Sequence, residues 1–275
     1  MERRVVITGL GVVSPVGNGK EEFWNNLLAG KPGVGPITQF DATDFPVKIA
    51  GEVKDFDPVA LAGDRKTVRH MDRYTQFAVA AAKMAVADAK LDMTKEDPDM
   101  AGTLIGTGIG GIHVMEDTIL QIEKRGPEKV NPFAIPMMIA NMASGQVSIT
   151  LGLRGPVLTD VTACASGTNS IGLAARLIKY GDADIMIAGG AEAAVSKAPM
   201  AGFAAMKALS SRDCPPEEAS CPFDAGRDGF VLGEGSGVLV LEEIEHAKKR
   251  GAHIYAELAG YGSNGDAYHI TAPRP

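Results

Sequence analysis

The chain has 275 residues, 45% of them hydrophobic and 22% charged, with a formal net charge of −7 at pH 7 and a mean hydropathy of +0.03. That length buries a sizeable core as one large domain or two ordinary ones. The acidic balance excludes nucleic acid or an anionic membrane as the main partner, while leaving local basic patches free to dock an acidic one.

Val5–Ile7 is a β-branched run that predicts a strand ending in a Gly9-x-Gly11 turn, and Glu21–Leu28 predicts a helix stopped by Gly30. Residues 31–65 read as irregular, with Pro32, Pro36, Pro46 and Pro58. Tyr74–Leu91 predicts a strong helix, because Phe77, Ala81, Met84 and Ala85 form one apolar stripe. Thr103–Ile105 predicts a buried strand running into GTGIGG, and a helix follows from about Val114 to Lys124. Pro136–Leu151 predicts a further helix, Val157–Val161 a strand, and the residues after Cys164 a helix to Tyr180 closed by Gly181. Ile185–Ala188 then predicts a buried strand, Gly229–Leu241 a glycine-rich hairpin, Glu242–Arg250 a helix and Ile254–Leu258 a strand.

Strands alternating with helices imply an α/β fold with a largely parallel sheet. The 33 glycines, well above the ~7% average, fall at the ends of short apolar runs, where tight turns and close backbone approach need them. ITGLGVVSPVG at 7–17 weakly echoes LAGYGSNGDAY at 258–268. A repeat of about 250 residues would make the chain one full unit and the start of a second.

No run approaches the ~18 apolar residues of a membrane span, and the opening MERRVVITGLG lacks the features of a secretory leader. Three cysteines, Cys164, Cys214 and Cys221, leave one unpaired, which reads as a reduced, cytoplasmic protein. Cys214 and Cys221, in CPPEEASC, lack zinc-ligand spacing and read as free surface thiols; no metal site is expected.

Cys164 stands apart. It follows a predicted strand, precedes Ala165, Ser166 and Gly167, and opens a helix with Ile171, Ala174, Ala175 and Ile178 on one face. That strand–turn–helix layout is a nucleophile elbow with sulfur in place of oxygen. Helix-start N–H groups favour a thiolate and supply half of an oxyanion hole, and small neighbours admit a carbonyl to within ~3–3.5 Å of the sulfur. A small buried cysteine is the competing reading, and the residues alone leave both open. A second motif, Gly106-x-Gly108-x-x-Gly111 with Glu128 some twenty residues on, fits a dinucleotide fingerprint. Against it, Glu128 lies in a loop, and the motif explains neither the cysteine nor PFDAGRDGF.

DVTACASGTNSIGLAARLIKYGDADIMIAGGAEA resembles the active-site segment of the β-ketoacyl-[acyl-carrier-protein] synthases, the condensing enzymes of fatty acid synthesis. VVITGLGVVSPVG, GTGIGG, MAGFAAMKALS and the segment from PFDAGRDGF to ELAGYGSN resemble the same family, nearest its elongating type II. The resemblance implies a thiolase-like layered αβαβα fold of two similar halves, usually in a homodimer. Residues 1–251 would be the half carrying the nucleophile, and 252–275 the first strand and loop of the second. It implies that Cys164 takes an acyl chain from acyl carrier protein as a thioester. A carbanion from decarboxylated malonyl-carrier protein then extends that chain by two carbons, with no cofactor.

On the same resemblance Ile109 and Phe203 line the acyl pocket, and Thr271 lies near the pantetheine and malonyl channel. Lys66, Arg69 and Arg73 of RKTVRHMDR belong to a region that touches the acidic carrier protein, although a solvated basic face explains them equally. The family's two histidines sit in HGT and GHxxGA motifs that match none of His70, His113, His246, His253 and His269. His246 and His253 read as flanking a surface helix end, and His269 as bordering the site near Thr271. The sequence therefore reads as truncated, able to accept an acyl group but not to condense. A non-catalytic partner subunit is the alternative, and the presence of Cys164 counts against it.

Overall fold

In the computed structural model, which describes residues 3–275, one twisted sheet organises the chain. Strands β1 (Val5–Ser14) and β2 (Gly17–Asn18) form a hairpin, while β3 (Gly35–Pro36) and β4 (Ile49–Ala50) pair as a separate ribbon. With β5 (Ala101–Gly106), β6 (Val157–Leu158), β7 (Ile185–Ala193), β8 (Glu234–Glu243) and β9 (Ala256–Glu257), the main sheet has seven strands in the order β2-β1-β8-β7-β5-β6, and β9 lies on β1.

The helices are α1 (Lys20–Leu28), α2 (Pro58–Leu61), α3 (Arg65–Val68), α4 (Arg73–Asp88) and α5 (Ile112–Arg125). They continue with α6 (Ala134–Met138), α7 (Met142–Leu151), α8 (Ser166–Tyr180), α9 (Lys197–Ala205) and α10 (Ile244–Lys249).

The period-2 pattern of β7 explains the layering. Ile185, Ile187, Ala191 and Ala193 join the core shared with Phe77, Ala81 and Ala85 of α4 and Ala143 and Val147 of α7. Met186 and Ala188 point the other way, into a second core with Ala174, Ala175 and Ile178 of α8. A strand apolar on both faces is buried between two helical layers, so the chain is a helix–sheet–helix sandwich.

Four expectations need correcting. The sheet is mixed: β5, β6 and β7 are parallel, but β8 runs antiparallel between β1 and β7. Gly9 and Gly11 make no turn and sit inside β1. A Cβ at Gly11 would lie 1.9 Å from the Ala81 carbonyl oxygen, and one at Gly9 would lie 2.2 Å from that of Ala85. These glycines let α4 press its backbone against the strand.

The stretch Gly229–Leu241 is no hairpin. Phe230 exchanges backbone bonds of 3.0 and 2.9 Å with Ala208 and Ser210, and only from Glu234 does the chain enter the sheet. The helix expected over Pro136–Leu151 is two, α6 and α7, because Ile139 is extended and its carbonyl accepts 2.8 Å from the buried Tyr74 hydroxyl.

Candidate active site

The parallel strands β5 and β7 deliver their C-terminal ends to one edge of the sheet, the usual place for a site in an open α/β sheet. A cavity of about 480 Å³ opens there. Gly106 at the end of β5, Thr107–Ile109 after it, Gly190–Glu192 of β7 and Gly235–Gly237 of β8 line it, together with Ala163, Cys164, Phe203, Phe230 and Leu232.

Cys164 is exposed into this cavity and stands in a single 3-10 turn, Ala163–Ala165, immediately before α8. The exposed sulfur rules out the small-buried-residue reading. The turn is sharp because Ala163 holds φ at 51°, in the left-handed region that non-glycine residues occupy at a cost of order 1 kcal/mol or more. Ser166 holds it in place: its Oγ accepts from the Thr162 N–H at 2.9 Å and donates toward the Ala163 carbonyl at 2.7 Å.

Gly106 makes room for the elbow, since a Cβ there would lie 2.5 Å from the Ser166 carbonyl oxygen. No side chain caps α8. With no acid in its first turn either, α8 presents the positive end of its dipole at the turn that carries Cys164.

Two groups that the sequence reasoning missed complete the site. Glu192 lies on the cavity wall. Its Oε2 accepts from the Gly108 and Ile109 N–H groups at 2.8 and 2.9 Å, and its Oε1 accepts from the Thr107 hydroxyl at 3.2 Å. Burial pushes its carboxyl above the ordinary glutamate range, against the opposing pull of those hydrogen bonds. Tyr261 donates 2.8 Å to Asn169 Oδ1, and Asn169 Nδ2 donates 2.8 Å to Thr162 Oγ1, so residues after β9 reach the nucleophile turn. A lone acid inside the small, apolar AGGAEA run was the readable signal for Glu192. Nothing local marked Tyr261.

The other candidates divide. Ile109 and Phe203 share the cavity with Cys164, and Phe203 meets Phe230 edge-on with ring centroids 5.4 Å apart. Thr271 is exposed in a turn where His269 Nδ1 accepts from the Thr271 and Ala272 N–H groups at 3.1 and 3.0 Å, and neither lines the cavity. Lys66 and Arg69 are exposed on and just after α3.

Arg73 is not a free surface cation. Its Nε and Nη2 donate to the buried Glu234 at 3.0 and 2.7 Å, and its guanidinium lies 4.7 Å from the Phe77 ring centroid. His246 is no solvated helix end either. It bonds Glu242 at 2.8 Å and Glu96 at 2.9 Å, far from the cavity. Cys214 and Cys221 are unpaired, partly exposed thiols.

The dinucleotide reading fails on the same geometry. The Gly108 and Ile109 N–H groups that would cradle a pyrophosphate already donate to the protein's own Glu192. Glu128 sits in an exposed 3-10 turn, Pro127–Lys129.

A layered α/β fold with a cysteine elbow at the strand ends defines a thiolase-like, ketosynthase-type architecture. A crystal structure of a β-ketoacyl synthase from Burkholderia phymatum superposes with a TM-score of 0.90 at 36% identity, covering 99% of this chain and 67% of that one. A type II polyketide ketosynthase, solved in complex with its acyl-carrier protein, matches with a TM-score of 0.87 at 41% identity, over 98% of this chain and 65% of that one.

The family model for the β-ketoacyl synthase N-terminal domain matches residues 2–247, and the chain belongs to that family. It is 53% identical over 274 residues to the 3-oxoacyl-[acyl-carrier-protein] synthase 2 of Synechocystis sp., and it spans 66% of that relative's length.

Proposed function

We propose that this chain carries the acyl-accepting part of a 3-oxoacyl-[acyl-carrier-protein] synthase, an acyltransferase of fatty acid synthesis. The observation that carries the reading is the exposed Cys164 at the start of α8, facing a cavity it shares with Ile109 and Phe203.

The Cys164 sulfur attacks the carbonyl of an acyl thioester on the carrier protein's phosphopantetheine. The bond from that carbonyl to the pantetheine sulfur breaks, and the thiol leaves with a proton while the acyl chain stays on Cys164. In the second stage malonyl-carrier protein loses CO₂, and the carbanion attacks the Cys164 thioester. A 3-oxoacyl chain longer by two carbons leaves, and the cysteine is freed. None of the five histidines lines the cavity, so groups that polarise the malonyl thioester are proposed to come from outside this chain.

The partner is acyl carrier protein. The relative solved as a ketosynthase in complex with its acyl-carrier protein supports this, and exposed Lys66 and Arg69 would draw in an acidic protein electrostatically. A homodimer is proposed from the outer edge of β6, where Val157, Leu158 and Val161 are 41%, 50% and 54% exposed beside an unpaired strand edge. Among the described residues no helix is long and apolar enough to cross a membrane. Three unpaired cysteines support a reducing, cytoplasmic setting.

The test is a limiting dose of iodoacetamide or of an acyl thioester, with the adduct mapped by mass spectrometry. Cys164 should be modified ahead of Cys214 and Cys221, and the reverse order would sink the reading. Release of CO₂ from malonyl-carrier protein by this chain alone would overturn the proposed division of labour.

A further inference from the structure

We infer that Glu192 is a positioning residue that sets the acyl-chain range of the Cys164 cavity, by holding the Thr107–Gly110 turn and, through it, Ile109. The acyl role rests on the function proposed above; the structural role stands independently of it.

Ile109 is 42% exposed and has no core to hold it, so its place on the cavity wall depends on its backbone. That backbone is fixed from one side. A single carboxylate oxygen of Glu192 takes the N–H groups of Gly108 and Ile109, and the other takes the Thr107 hydroxyl. The Thr107 oxygen in turn accepts from the Gly110 N–H at 3.1 Å. Every partner is a donor, which is the inventory an ionised carboxylate satisfies.

The same turn is tight for steric reasons. A Cβ on Gly108 would meet Glu192 Oε2 at 3.1 Å and the Ala163 Cα at 3.5 Å, so the acid, the turn and the residue before Cys164 lie in contact range. Glu192 sits on β7, a rigid central strand paired along its length with β8. Anchoring an exposed wall residue to such a strand is how a scaffold makes a pocket dimension reproducible. Glu192 itself takes no part in bond making.

A positioning role and an acid–base role predict different things of one substitution. In Glu192→Gln, the amide oxygen still accepts both N–H groups and the amide nitrogen donates to the Thr107 oxygen, so the turn is held but no proton can be exchanged. In Glu192→Ala, the turn loses its anchor.

Amide hydrogen exchange on the 275-residue chain is expected to show Gly108 and Ile109 about tenfold faster in Glu192→Ala and within about twofold of wild type in Glu192→Gln. The relative rates at which Cys164 takes short and long acyl thioesters should shift by about tenfold in Glu192→Ala. That shift should be largely reversed in Glu192→Gln, with iodoacetamide labelling of Cys164 retained in both.

Unchanged exchange in Glu192→Ala overturns the inference. So does a Glu192→Gln variant as impaired in acyl transfer as the alanine one, since that marks a proton-transfer role. If wild type accepts no acyl thioester, the proposed function fails while exchange still decides the anchor. Thr107→Val, which removes one leg of the same clasp, serves if Glu192→Ala does not fold; its Gly110 amide should then exchange faster, and an unchanged rate counts against the clasp.

Discussion

Each end of the paired strands β7 and β8 carries a buried, ion-paired glutamate, Glu242 with Arg250 at one and Glu234 with Arg73 at the other, but only the second opens into a cavity. At the end where Ile185 faces Glu242, the fully buried Glu242 is enclosed by partners: the Thr8 hydroxyl, His246, and both Nε and Nη2 of Arg250. At the end where Ala193 faces Glu234, the strands open into the Cys164 cavity, with glycines, a strained Ala163 and a single acid, Glu192, on its wall. The distal end is closed by charge pairing. The cavity end is kept open and built of small groups, as a site that must admit a substrate to a backbone-level nucleophile requires. Stability and reactivity should therefore be separable along the same two strands.

The largest effect belongs to the open end. Cys164→Ala should lower thioester formation by at least about a thousandfold. Because Cys164 is exposed and packs against no core, its unfolding free energy should stay within about 0.5 kcal/mol of wild type. Acylation by intact mass and urea denaturation check the two halves. A large loss of stability would break the separation.

The converse substitution is Arg250→Ala. It leaves Glu242 buried with its strongest partner gone, and breaking such a pair costs about 3–5 kcal/mol. Thermal and urea unfolding should show that loss, while the rate of Cys164 labelling in the folded protein stays within about twofold.

The sequence announced the open end far better than the closed one. A cysteine between a strand and a small-residue helix start is a local pattern, and so are the alternating faces of β7 and the α4 stripe. Glu242 and Arg250 sit eight positions apart, but Glu96 and Thr8 come from distant segments, so the network was invisible to any window reading. The sheet's direction failed for a related reason. Strand order and polarity are long-range facts, and the glycines that suggested a turn at Gly9 and a hairpin after Gly229 instead serve contacts with α4 and with Ala208–Ser210. Glu192 lay between these cases: its oddity in AGGAEA was local, but its partners, Thr107 to Ile109, were not.

The pH dependence of stability should come from the closed end. Burial alone would raise Glu242, but the bonds from Arg250, His246 and Thr8 outweigh it and hold the group at about 2. A depressed carboxyl contributes stability that is complete above its unfolded value near 4.5 and is lost as pH falls through about 2, worth about 3 kcal/mol. His246 moves the other way. The bond to Glu242, with that to Glu96, raises it above 6.5 despite burial. Its contribution is complete below 6.5 and is lost as pH climbs through the raised value. This network should therefore contribute most between about pH 4.5 and 6.5. Denaturant midpoints across pH check it, and His246→Gln should abolish the upper limb while only shrinking the lower one, since Arg250 and Thr8 still hold Glu242 low.

The smallest effect sharpens the comparison from inside the cavity. Phe203 and Phe230 meet edge-on across its wall; Phe230 is 44% exposed, and Phe203 packs against a small buried cluster with Met200 and Leu232, apart from the core between α4 and the sheet. An edge-to-face pair of this kind is worth about 0.5–1.5 kcal/mol beyond its buried area. Phe203→Leu, Phe230→Leu and the double substitution form a cycle in which the coupling free energy of unfolding should fall in that range. The same variants widen the cavity, so the relative rates of long-chain over short-chain acylation at Cys164 should rise, by about tenfold at most. Widening without a large stability loss is what an open, lightly braced wall permits. If either single substitution instead destabilises the chain by more than about 3 kcal/mol, the value typical of emptying a packed core, this wall is part of the core. The contrast between the two ends of the sheet then has to be redrawn with the cavity's far side on the closed half.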